Sequence, residues 1–257
     1  MATTNARPLR RERNIILGVL ITLAAVAWGV LIWQSAMMGA SQAMGLTMGM
    51  SAALFLAVWV AMMVAMMFPT AAPMILMFAT ISARRRQQGQ AFVPTWLFVG
   101  AFLLVWSFCG VVAYLLAVGV ERLAEQSIWL MDHLALFSGA LLALAGLYQL
   151  SPLKYACLSK CRTPLQFILT SWHDGSGGAL RMGLEHGLSC LGCCWLLFVI
   201  LFPLGMMNIA LLALITLLIY AEKSLPMGQR IAQVAGIGLI VYGVVVIFWP
   251  AALPMAR

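Results

Sequence analysis

Charge is scarce in this chain: 9% of its 257 residues are Asp, Glu, Lys or Arg, while 64% are hydrophobic. Ordinary soluble domains carry about 25% charged residues, so that class is excluded and a polytopic membrane protein is indicated. No polar tract is long enough for a separate globular unit, and 1–257 reads as a single membrane domain of six or seven spans of about 20 residues each. Only seven residues are acidic, giving a formal charge of +8. That excess does not point to nucleic acid, because the basic residues sit in short clusters between apolar runs, where they act as topology signals. No nucleotide-binding motif is present, which argues against pumping driven by ATP.

The apolar runs predict an all-α bundle of seven helices at 15–36, 51–82, 92–119, 134–150, 179–203, 206–220 and 231–249. The first run is too long for a signal peptide, carries Trp28 and Trp33 and lacks a cleavage site, so it reads as a retained span. Alternating sides places every Lys and Arg except Arg122 and Arg257 on one face, which makes the arrangement N-in and C-out. Pro69 and Pro73 predict a kink in the second helix. Pro203 and Gly205 predict a tight turn that makes helices five and six a hairpin. Glu121, Arg122, Glu125 and Asp132 mark a short outer segment able to lie on the membrane surface.

Sulfur is what the sequence has in excess, with six cysteines and 18 methionines. An uncharged outer connection holds Met37, Met38, Met44, Met48 and Met50. In the second helix Met62, Met63, Met66 and Met67 fall on an arc of about 140° at helical spacing. Cys157 and Cys161 stand four apart in a basic stretch read as a cytoplasmic loop. The fifth helix contains RMGLEHGLSCLGCCW, in which Met182, His186, Cys190 and Cys193 share one narrow face with Cys194 at its edge. Counting inward from the two helix ends puts Met62 to Met67 and Cys190 to Cys194 both near mid-membrane.

Soft thioether and thiolate groups select copper(I) or a related ion over magnesium or calcium. A route follows: outer methionines, the methionine ridge, the Cys and His face, then the Cys157 and Cys161 pair in the cytosol. Uptake or delivery ranks above export because the methionine-rich connection is outside. Small and sulfur-bearing residues such as Gly183, Gly187, Ser189 and Gly192 also serve close helix packing, the plain alternative for any single cysteine, Cys109 included. His186 ranks as a ligand because an intramembrane histidine needs a partner. Glu185 reads as paired with Arg181 or as a proton acceptor, Glu222 as a paired or snorkelling ion beside Lys223. His173 and Asp174 read as solvated, and His133 as interfacial.

Two other classes compete. A membrane thiol-disulfide oxidoreductase would use the CxxCC cysteines. An accessory or assembly subunit would hold a metal, or only pack, beside a larger membrane complex. The partners expected are therefore the lipid bilayer and either a metallochaperone or such a complex.

Three motifs in order carry a family resemblance: WVAMMVAMMFPTAAPM, YQLSPLKYACLSKCRTPL, and GLEHGLSCLGCCW followed by GMMN and AEKSLPMG. They resemble the DUF2182 family, described as predicted metal-binding integral membrane proteins. The resemblance covers about 50 to 230 and implies a bacterial inner-membrane protein with a metal site. The positions it implies are Met63, Met66, Met67, Cys157, Cys161, Cys190, Cys193, Cys194 and Glu222. Where the family leads one to expect a methionine shortly after CCW, this chain has Phe198.

Overall fold

The computed structural model describes residues 6–37, 45–89 and 93–253; Met38, Met44, Phe92 and Arg257 lie outside them. In chain order the helices are α1 (Ala6–Met37), α2 (Ala52–Gln87), α3 (Thr95–Gln126), the single turn α4 (Ile128–Asp132) and α5 (Leu134–Gln149). They continue with α6 (Pro152–Arg162), α7 (Pro164–Ser171), α8 (Gly175–Val199), the short α9 (Leu201–Leu204), α10 (Ile209–Ser224) and α11 (Gly228–Phe248). No strand occurs among the described residues, so the fold is all-α as the apolar periodicity required. The helices α1, α2, α3, α8 with α9, and α11 are long and apolar enough to cross a membrane; α5 and α6, bent by 60°, make a sixth if taken as one broken span. These are the helices of a multi-pass membrane protein.

Helix directions can be read from close contacts. In α5 and α11 glycines seven residues apart, Gly139 and Gly146 against Gly243 and Gly236, face each other in opposite order. A Cβ at Gly146 would stand 2.5 Å from the Gly236 carbonyl oxygen, and one at Gly243 would stand 2.5 Å from that of Gly139. Only glycine lets two backbones approach so closely, and here dispersion between backbones substitutes for the hydrophobic effect that lipid cannot supply. The same logic aligns α3 and α8 in parallel: Gly183 lies against the Phe98 carbonyl and Gly187 against Val105. Between α2 and α3, Trp59 Nε1 donates to the Trp106 carbonyl at 2.9 Å, and Ser82 Oγ donates to the Val93 carbonyl at 2.6 Å.

α2 continues through Pro69 and Pro73 as one helix of 36 residues. A proline at 69 has no N–H for the Ala65 carbonyl four residues back. Trp28 Nε1 on α1 donates to that carbonyl at 3.2 Å, so a neighbouring helix satisfies the group the proline leaves bare. A Trp28→Phe variant keeps most of the ring and loses this donor. It should be destabilised by about 1–3 kcal/mol, read as an earlier midpoint in detergent-denaturation curves; an unchanged midpoint would remove the tryptophan from this role.

The turn after α9 is in place, with Gly205 at φ 98°, a conformation glycine adopts without strain, and Asn208 capping α10 through its side chain. Below the turn the limbs part, α10 packing on α11, α2 and α6 rather than along α8. Two sequence expectations need correction. Glu121, Arg122 and Glu125 are not a separate surface segment; they form the last turns of α3, which runs on to Gln126. The stretch holding Cys157 and Cys161, read as a loop, is a helix, α6, started by Ser151, whose Oγ accepts from Lys154 N, and by Pro152 at its first turn.

Candidate metal centre

Cys190, Cys193 and Cys194 occupy one buried face of α8, each at most 2% exposed. Their sulfurs all lie within 4.8 Å of one another. Three sulfurs around one ion with bonds of about 2.3 Å stand roughly 4 Å apart, so the group needs little movement to close on an ion. Spacings of three and four residues supply the shared face, and the backbone fixes the thiols: Cys193 and Cys194 both donate to the Cys190 carbonyl, at 3.0 and 2.9 Å.

Two more helices bring sulfur to this point. Met67 of α2 places Sδ 3.8 Å from Cys190 Sγ, so the ridge and the cysteine face meet. Cys161 of α6 is buried, and α6 packs across α8, which brings this thiol up to Cys190 and Cys193. Cys161 thus stands beside the α8 thiols and not in a separate pair with Cys157, as the sequence had it. α6 lies across α8, and its second cysteine joins the central group. Cys157 is half-buried, one turn away on α6, against Gly192, where a Cβ would come within 2.6 Å of its sulfur; Tyr148 OH donates to the Gly192 carbonyl. Met63 and Met66 are fully buried on α2 beside Met67. Cys109, half-buried in α3, stands outside the three-thiol group.

His186 lies one turn before Cys190, buried, and its imidazole is held between aromatic rings. Phe98 and Phe102 stack on it at 5.8 and 5.5 Å, and Phe167 tilts against it at 5.7 Å. Among the described residues neither ring nitrogen has a hydrogen-bond partner, and the ring is not part of the three-thiol group. Helical phase found the right face but not the neighbours on it.

The charged residues are arranged differently from the expected Glu222 and Lys223 pairing. Glu222 is fully buried and turns to α6 and α5, accepting from Lys154 Nζ at 2.7 Å and Gln149 Nε2 at 3.0 Å. Lys223, the next residue, turns to the sulfurs, with Nζ 3.1 Å from Cys190 Sγ, 4.0 Å from Met67 Sδ and 3.5 Å from Thr70 Oγ1. Lys154, Gln149, Thr70 and Lys223 are the site residues that sequence reading passed over. For the two lysines the available signal was an ionisable group close to an apolar run. Arg181 and Glu185 pair at 3.0 Å on the surface, as expected. Asp174, read as solvated, pairs with Arg85 at 3.0 Å and accepts from Trp172 Nε1 at 2.7 Å.

Toward the N-terminal end of α2 and the C-terminal end of α8 stands an aromatic layer. Trp59 precedes Met67 by eight residues and Phe198 follows Cys190 by eight, about 12 Å along a helix axis. Phe198 packs against Trp106 at 5.0 Å and Trp59 at 6.4 Å, so the position that departs from the family pattern holds a ring in this layer. Beyond it, Met48 and Met50 are buried in the connection before α2, which Glu121 anchors by accepting from Thr47 N at 2.8 Å and from its hydroxyl at 2.8 Å. On the other side a cleft of about 620 Å³ opens between α6, α7 and α8, lined by Lys160, Gln166, Glu185 and Ser189; Phe167, the ring against His186, is part of its wall.

No match was found among curated proteins or among solved structures. A family model described as "PpoB2: Copper chaperone" matches residues 56–246, which include every residue of α2, α6, α8 and α10 named at the sulfurs. Its label agrees with the copper reading of the motifs, under a name other than DUF2182. With about three quarters of its length matched, this chain belongs to the PpoB2 copper chaperone family.

Proposed function

We propose that this chain is a seven-span protein of the bacterial inner membrane, N-in and C-out, that binds copper as Cu(I) and hands it to another protein. The observation that carries the reading is the convergence of sulfur: three thiols of α8 within 4.8 Å of one another, with Met67 3.8 Å from Cys190. Thiolate and thioether ligands favour Cu(I), and a thioether binds without losing a proton. In this reading Cys190, Cys193 and Cys194 are the primary donors, two of them binding the ion as thiolates at a time, Cys161 and Met67 stand next to them as neutral donors, and Met63 and Met66 extend the set. Cys157 and His186 act as nearby donors during transfer, the imidazole by rotating out of its aromatic sandwich. Met48 and Met50 are the outer acceptors, and passage from them inward requires the Trp59, Trp106 and Phe198 layer to open. The burial of Cys190 and Cys193 supports a metal site over a dithiol enzyme, since thiol exchange needs an accessible sulfur.

The test is the metal content of the purified full chain, by mass spectrometry, after loading with Cu(I) under reducing conditions. Copper should co-purify with the wild type and be absent from a Cys190→Ser, Cys193→Ser, Cys194→Ser variant of equal yield. Copper retained by that variant would overturn the assignment. Labelled-copper uptake into cells then reads direction, with slower uptake in the variant expected for import.

A further inference from the structure

Lys223 occupies a position that copper binding alone does not explain. A lysine near the end of a membrane helix ordinarily extends its ammonium to water or lipid phosphate. Here the side chain turns inward, and the contacts of Nζ are Cys190 Sγ, Met67 Sδ and Thr70 Oγ1. No carboxylate lies within 4.0 Å of Nζ among the described residues. The adjacent Glu222, about 100° round α10, is committed to Lys154. The ammonium therefore faces the sulfur group as its single cationic neighbour within hydrogen-bonding reach among the described residues.

Charge counting gives this arrangement a purpose. Thiolates, not thiols, bind the metal. A monovalent ion held by one thiolate is neutral, whereas two thiolates leave one negative charge uncompensated in a medium where such a charge is costly. An ammonium at 3.1 Å from one of the sulfurs restores neutrality with two thiolates on the ion. Resting on the copper reading above, we infer that Lys223 is the fixed counter-cation of the centre, which lets a monovalent ion recruit a second thiolate. It is a positioning residue that sets affinity through Cys190 and does not bind the ion.

The experiment is a competition titration of the purified full chain, in lipid nanodiscs, against a chromogenic Cu(I) chelator at fixed pH. Lys223→Gln and Lys223→Leu should weaken Cu(I) by about ten- to a hundredfold, the range seen when an outer-shell partner of a metal ligand is removed. Lys223→Arg, which keeps the charge, should stay close to wild type. Loss of charge should also lower the ultraviolet thiolate-to-copper absorption per bound ion, a signal that a role in packing alone would leave unchanged. Lys223→Leu adds no polar group to the interior and serves if the Gln variant fails to fold. Wild-type affinity in any folded neutral variant overturns the inference. Absence of Cu(I) binding by the wild type instead overturns the copper reading itself.

Discussion

A Glu222→Ala variant is expected to lose about 3–5 kcal/mol of stability, the usual cost of stranding one member of a buried ion pair. Lys154 and Glu222 are each 1% exposed and meet at 2.7 Å, and Gln149 takes the second carboxylate oxygen. Removing the carboxylate leaves an ammonium with no water and no counter-charge, at the junction where α5, α6 and α10 meet. A Lys154→Met, Glu222→Leu double variant should recover most of the loss, because the pair as a whole is worth far less than either ion alone. The measurement is reversible unfolding in mixed micelles, with all three proteins compared at one pH. A single variant as stable as wild type would show that the pair is not buried in the native protein. The single variant should also bind Cu(I) less tightly, since the pair helps to hold α6, and with it Cys161, against α8.

The second large effect separates the cysteines by rank. Cys190 is the hub of the centre. Its sulfur touches Met67 and Lys223, and its carbonyl accepts from both Cys193 and Cys194. Cys190→Ser should weaken Cu(I) on the order of a hundredfold, the upper end of what even outer-shell losses cost. Cys157→Ser, a turn away against Gly192, should change it little, and Cys161→Ser should fall between. The same chelator titration reads all three. Equal losses at 157 and 190 would mean that the two thiols rank alike and that Cys190 is not the hub of the centre.

The residues explain why some of this was readable before the structure and some was not. Seven apolar runs became helices because hydrophobic length is a property of the chain alone. The meeting of Met67 with Cys190 followed from depth, since rise per residue is fixed once a helix is assigned. The lateral arrangement was not so determined. Ser151 and Pro152 mark a break between α5 and α6 but not its 60° angle, and a stretch with Lys154, Lys160 and Arg162 reads as a loop until α6 is seen lying across α8. Glu222 and Lys223 looked like a pair because they are neighbours in sequence. Successive residues on a helix point about 100° apart, and these two serve different partners. His186 was placed on the correct face, but only packing could show Phe98, Phe102 and Phe167 around it.

The bond from Trp28 to the Ala65 carbonyl bears on how the protein is made. A helix with a proline at mid-length enters lipid with a bare carbonyl, and no water is there to cover it. For α2 the covering group is on the helix synthesised just before it. α1 is therefore expected to stay beside α2 during insertion, the two entering the bilayer as a pair. Splitting the chain between them, with the halves expressed separately, should leave the second half a substrate for membrane quality-control proteases until the first is supplied.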